Sequence, residues 1–182
     1  VEKSPSITLI TGHGVASQSF APGLAKLMLA NGEQLSSSLV VAADGGKSAL
    51  REAAHIDLVG WSYEQMGIVA SFNHALPHHG RAEEHFTPAG PFAILPLPGN
   101  RSSIVWTKGT GEAKRLLGLP RSDFEIALQN EIGTHLGKIE LLGSPQGYPL
   151  AMFFAKEFHG PRLALVGDAA HIIHPLAGLG LN

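Results

Sequence analysis

The chain has 182 residues, of which 44% are apolar and 15% charged, with a formal net charge of −2. That apolar content builds a real core and excludes disorder, while 13 basic against 15 acidic residues provide no polycationic surface for nucleic acid. The absence of cysteine excludes disulfides, thiolate metal centres, iron–sulfur clusters and a cysteine nucleophile, and no apolar run approaches the ~20 residues that span a bilayer.

In chain order, Ser6–Ile10 and Lys26–Ala30 read as strands joined by a long loop rich in Gly, Ser and Pro. Ser37–Asp44 is a buried-strand run that breaks sharply at Asp44-Gly45-Gly46, and a short helix over Ser48–Ala54 follows. The texture then changes to antiparallel sheet. Met66, Ile68, Ala70 and Phe72 alternate with smaller or polar residues, as do Ile104 and Trp106. Two further strand-like runs between them, bounded by Pro88, Gly90, Pro91, Pro98 and Gly99, predict a four-stranded sheet over Tyr63–Thr107. Ser122 with Glu125 three residues on has the pattern of a capping box. Phe124, Ala127, Leu128, Ile132 and Leu136 then keep one apolar face until Gly137. Arg162–Asp168 is a short buried strand ending in Gly-Asp, and AAHIIHPLAGLGLN leads on through a loop toward another helix. The expected class is α+β, with α/β elements flanking a mainly antiparallel sheet and dividing the chain into residues 1–60, 61–158 and 159–182.

Two corners carry chemistry. A parallel-type strand delivering Gly167-Asp168 at its carboxyl end places an acceptor-only carboxylate where ligands sit in open α/β sheets. Pro175, Gly178 and Gly180 then allow close backbone approach to a flat ligand. The plainer reading, a carboxylate capping a turn and glycines punctuating a loop, stands beside it. At Asp44-Gly45-Gly46 a strand end, two glycines and a helix bearing Arg51 suit a pyrophosphate. Equally, they make an Asp-Gly turn whose Arg51 meets Glu52 or solvent.

Taken together, AADGGKSALRE and RLALVGDAAHIIHPLAGLGLN resemble the two internal motifs of the single-component flavin-dependent aromatic hydroxylases built like para-hydroxybenzoate hydroxylase. Within that superfamily, YEQMGIVASF, FTPAGPFAILPLP and RSSIVWT are similar to the ubiquinone-biosynthesis branch, the hydroxylases of polyprenylated phenols. The resemblance covers roughly Leu39 to Asn182. It implies that Asp168, approached through Gly167, holds the ribityl chain of FAD, and that Pro175, Gly178, Gly180 and Asn182 line the isoalloxazine. It links Asp44, Gly45 and Arg51 to FAD and to the NAD(P)H visit. The region around residues 61–158 is then the substrate domain, with Phe92, Leu95 and Trp106 on its apolar ligand face. The implied chemistry is reduction of FAD by NAD(P)H, capture of dioxygen as a flavin hydroperoxide and hydroxylation of a phenolic ring. The cofactor carries the hard steps, so no acid–base triad has to be visible. A cytoplasmic protein, peripheral to the inner membrane and associated with other quinone-biosynthesis proteins, is the matching expectation.

The departure from that family is at the amino end. Its members open with a G-x-G-x-x-G unit well before the Asp-Gly motif, whereas Asp44 lies close to Val1, so the chain reads as an internal piece of an enzyme, binding FAD weakly on its own. Gly12-His13-Gly14-Val15-Ala16-Ser17 is a near match to the fingerprint, but Ser17 replaces the third glycine and Ala21-Pro22-Gly23 breaks any helix; a loop is expected there. Two other classes remain. Asp168, His171 and His174, at three-residue spacings, would share one helical face and could ligate zinc or iron, although Pro175 disfavours a helix at His174. His74, His78 and His79 read as solvated loop histidines. A non-catalytic structural domain is the third class.

Overall fold

Pro22-Gly23 sets the first tight turn: with Gly23 at φ +85°, strand β1 (Val15–Ala21) reverses into β2 (Leu24–Leu29), and β3 (Gln34–Ser37) completes an antiparallel meander in the order β1-β2-β3. The computed structural model describes residues 4–176. Its backbone divides into two units, the first comprising residues 4–60 with Phe153–Ile172, the second Trp61–Met152 with residues 173–176.

In the first unit, β4 (Val40–Ala42) is followed by α1 (Ala49–Ala53). Late in the chain come β10 (His159–Gly160), β11 (Leu163–Leu165), a single 3-10 turn over Gly167–Ala169, and β12 (His171–Ile172). β11 pairs in parallel with β4, Leu163 opposite Val40 and Leu165 opposite Ala42, and antiparallel with β10. Val40, Ala42, Leu50, Leu163, Leu165 and Ala169 make this unit's core. Ile7, Leu9 and Ile10 are exposed and form no strand, correcting the expectation for Ser6–Ile10. The Gly12–Ser17 stretch is not wholly a loop, because Val15 already begins β1; no helix follows it, as a nucleotide fingerprint would require.

The second unit is built on a sheet. The long strands β5 (Leu58–His74) and β9 (Ile139–Ala155) both start in one unit and finish in the other. With β6 (Glu83–Thr87), β7 (Gly90–Leu97) and β8 (Arg101–Gly109) the sheet order is β12-β9-β5-β8-β7-β6. The expected four strands are therefore joined by two more. β9 escapes sequence pattern because Gly143, Pro145, Gly147 and Pro149 interrupt it. β12 pairs with it only at Phe153 and Phe154, so the prolines' missing N–H groups are tolerated along the rest of the strand. α2 (Thr110–Leu117) and α3 (Arg121–Ile132) contribute Ala113, Leu116, Phe124, Leu128 and Ile132 to a core with Ile68, Phe72, Phe92, Ile94, Ile104 and Trp106. α2 carries only two buried residues amid Gly109 and Gly111, too little period to be read in advance.

The capping box is not formed. Pro120 precedes the first helical residue at φ −52°, and its carbonyl accepts from the amides of Asp123 and Phe124. Ser122 Oγ donates to Asp123 Oδ1, and Glu125 Oε1 accepts instead from the Leu141 amide at 3.0 Å, fixing the start of β9. Gly133 at φ +82° ends the helix, so Leu136 is buried from a loop and not from a further turn.

Candidate functional site

The parallel pairing of β4 with β11 brings their carboxyl ends, and hence the loops carrying Asp44 and Asp168, side by side. This is the edge of an α/β sheet where ligands bind, because strand ends and adjacent loops open a crevice there. Buried Ser48 caps α1, its Oγ accepting from the Arg51 amide at 3.0 Å. Asp44 Oδ2 accepts from the Leu50 amide at 3.3 Å. Partial burial pushes the Asp44 carboxyl up, but hydrogen bonds from Ser48 and from the amides of Leu50, Asp44 and Ala49 outweigh it and hold it below the usual value. Gly45, at φ +86° with open space where a Cβ would stand, takes the backbone through a conformation that side chains rarely adopt. A Cβ on Gly46 would come 2.5 Å from Ile172 Cδ1, so a side chain there would have to push the end of Ile172 on β12 aside.

Arg51 is neither paired with Glu52 nor open to solvent. It is 3% exposed, and its guanidinium donates to the Ala169 carbonyl at 3.0 Å and the Gly46 carbonyl at 2.9 Å. One planar fork therefore ties the Asp-Gly loop to the Gly-Asp loop. This corrects the picture of Arg51 as a cation offered to a pyrophosphate: its charge is used inside the corner. Gly167 is exposed at φ +57°, again with open space on the side where a Cβ would stand. Asp168 is exposed, its carboxylate making no hydrogen bond or ion pair among the described residues. Ala169 and Ala170 beside it are buried. A carboxylate left uncommitted beside two open glycine turns can accept hydrogen bonds from the hydroxyls of a polyhydroxyl ligand.

Gly178, Gly180 and Asn182 lie outside the described residues. Pro175, in the second unit, lines a cavity of about 480 Å³ with Ala82, Glu83, Glu84, Ala93, Leu95 and Val105, the last three on the sheet face opposite the helices. The three expected substrate contacts do not share that face. Phe92 and Trp106 are 1% and 3% exposed, and Trp106 lies edge-on to Phe92 and to Phe124 at 5.8 and 6.2 Å, so both rings are consumed by the core. Leu95, an odd number of positions from Phe92, points the other way and is 43% exposed.

Among the described residues no group of three or more His, Asp or Glu is placed to hold a metal, which removes the Asp168–His171–His174 reading. Asp168 sits in a 3-10 turn and His171 in a strand, so the three-residue spacing never becomes one helical face. His171 stacks on Phe154, and His174 lies edge-on to Tyr63, its imidazole pushed below the usual value by burial. His74 is not a solvated loop residue: it is 5% exposed, with Nδ1 2.7 Å from the Leu76 carbonyl and Nε2 3.1 Å from Ser102 Oγ.

Comparison with known proteins identifies a family. Residues 21–182 match the model of a family described as FAD binding domain. The chain is 47% identical over 154 residues to a ubiquinone hydroxylase UbiL of Rhodospirillum rubrum, covering 85% of this chain and 36% of that protein. It is 33% identical to a 3-demethoxyubiquinol 3-hydroxylase of Escherichia coli, over 100% of this chain and 46% of the relative. The chain thus spans less than half the length of these relatives. Among solved structures, p-nitrophenol 4-monooxygenase PnpA of Pseudomonas putida shares the fold at TM-score 0.70 and 19% identity, over 92% of this chain and 44% of its own. A flavoprotein/dehydrogenase of Cytophaga hutchinsonii does so at TM-score 0.75 and 14% identity, over 92% and 44%.

Proposed function

The chain belongs to the FAD binding domain family, and from that premise we propose that the protein containing it is a flavin-dependent monooxygenase that hydroxylates the phenolic ring of a polyprenylated quinone precursor. The observation that carries the reading is the pair of loops at the carboxyl ends of β4 and β11, locked together by Arg51 and leaving Asp168 uncommitted. Asp168 would accept from ribityl hydroxyls, with Gly167 and Gly45 giving the backbone room beside the cofactor. FAD supplies the chemistry that amino acids lack, accepting electrons from NAD(P)H and activating dioxygen. The protein's own part is to hold that group rigidly, orient the ring and keep water away.

The open face of the sheet supports the second half of the proposal. Its cavity combines apolar side chains, Ala93, Val105, Leu95 and Pro175, with the carboxylates of Glu83 and Glu84, a largely apolar wall with a few polar groups that suits a phenolic ring. The names of the relatives supply the ubiquinone pathway as the substrate class. Among the described residues no helix is long and apolar enough to cross a membrane, and a lipid-soluble substrate favours a peripheral position for the whole protein on the cytoplasmic face of the inner membrane. The test is turnover by the full-length, FAD-loaded protein with NADH or NADPH, a prenylated phenol and ¹⁸O₂. One labelled oxygen in a hydroxylated product is the expected result; reductant oxidation that never yields hydroxylated product overturns the reading.

A further inference from the structure

The open face of the sheet extends beyond its cavity. Along β6 and β7 the side chains of one face recur at every second residue, about 7 Å apart. Glu84 lies opposite Ala93, both at the cavity wall, and the next pair on that face is Phe86 opposite Pro91. His85, between Glu84 and Phe86, turns to the helix side, where its ring tilts against buried Phe92 at 6.3 Å. Phe86 is 74% exposed, more than any other large apolar side chain among the described residues, and it stands on the outermost strand of the sheet. Edge strands are commonly guarded by charge because a bare apolar edge invites association, so a phenylalanine in this position marks a surface that a ligand covers. The hairpin that carries it is fixed. Thr87 Oγ1 donates to the Gly90 carbonyl at 2.7 Å, and Gln65 Nε2 donates from β5 to the Ala89 carbonyl at 2.9 Å. In the other direction along the strands the face turns polar: past Leu95 comes Leu97 opposite Arg101, which lies opposite Asn73. Arg101 is exposed, its Nε donating to the Pro98 carbonyl at 2.8 Å.

We propose that the Pro91–Phe86 end of this face receives the isoprenoid chain of a substrate whose ring occupies the cavity, and that Phe86 sets the preference for that chain. The assignment rests on the monooxygenase reading above. A cavity of about 480 Å³ has the size of a small-molecule site, so it houses a ring and the first part of a chain, and the rest of a polyprenyl chain leaves it over a neighbouring surface. A path over Arg101 and Asn73 would strip water from polar groups that hydrocarbon cannot satisfy. A path over Pro91 and Phe86 removes apolar surface of both partners from water. That contact is non-directional, which suits a flexible chain of repeating units with no hydrogen-bonding group. Because the hairpin is already fixed, covering it costs little conformational freedom. The chain lies away from the reacting ring, so its contact with Phe86 is the same in the ground state and the transition state and is read in KM.

The experiment uses the full-length, FAD-loaded protein with NADH or NADPH and measures hydroxylated product from 2-methylphenol, 2-prenylphenol and 2-farnesylphenol in wild type, Phe86→Ser and Phe86→Leu. In wild type kcat/KM is expected to rise as the chain lengthens. The ratio of kcat/KM for 2-farnesylphenol to that for 2-methylphenol falls about tenfold in Phe86→Ser, the scale of partial burial of a phenylalanine side chain. The change is carried by KM, and Phe86→Leu restores most of the ratio. A ratio that is the same in wild type and Phe86→Ser, whether both values hold or fall together, overturns the assignment and leaves the monooxygenase reading intact. So does a Phe86→Ser protein that becomes a smaller species on gel filtration, because a second copy of the chain then covers Phe86. A wild type that hydroxylates none of the three probes overturns both.

Discussion

The parallel corner at β4 and β11 and the antiparallel sheet of the second unit prepare for ligands in opposite ways. The corner works through backbone: glycines at positive φ, buried alanines, and one arginine whose hydrogen bonds fix two loops so that a single carboxylate stands free. The sheet works through asymmetry of its faces. Its helix side is filled by Phe72, Phe92, Trp106 and Phe124, while its other side carries Ala93, Leu95 and Val105 and leaves space. One region is specific because of what its polar atoms are bonded to, the other because of what its side chains do not fill.

The difference can be broken most forcefully on the packed face. Phe124→Ala removes a ring that is 1% exposed and in edge contact with Trp106, and is expected to cost about 4 kcal/mol of stability, read from urea unfolding of the full-length protein. At the corner, Arg51→Ala leaves the Ala169 and Gly46 carbonyls without their donor and is expected to cost about 3 kcal/mol together with flavin retention. Arg51→Lys should recover little, since an ammonium cannot reproduce the planar fork. The smallest change in stability belongs to the open face. Leu95→Ser should shift it by less than about 0.5 kcal/mol while weakening binding of an apolar phenol roughly tenfold, measured by titration. Equal stability losses for Phe124→Ala and Leu95→Ser would erase the distinction between the faces.

These regions were not equally legible in the sequence. The Asp-Gly and Gly-Asp corners announce themselves because they set particular residue types, Gly and Asp, at fixed offsets from strand ends. The alternation of Met66, Ile68, Ala70 and Phe72 identified which face of β5 is buried, and Ile68 and Phe72 are fully buried. Two things stayed hidden for physical reasons. Arg51 looks like a ligand cation until the 118-residue separation to Ala169 is closed by folding. Phe92 and Trp106 look like ligand contacts because an aromatic ring reads the same in a core as in a pocket. Ser122 and Glu125 show the converse, a local signature overridden when Pro120 starts the helix and Glu125 is claimed by Leu141.

The central claim is that the free carboxylate of the corner holds FAD. Its most direct test is the flavin stoichiometry of the full-length protein, from the visible absorbance of the flavin after gel filtration, in wild type and Asp168→Ala. The prediction is flavin retained by wild type and largely lost from Asp168→Ala at unchanged secondary structure, through removal of a charged hydrogen bond worth about 2 kcal/mol. Equal flavin content in the two proteins would contradict it.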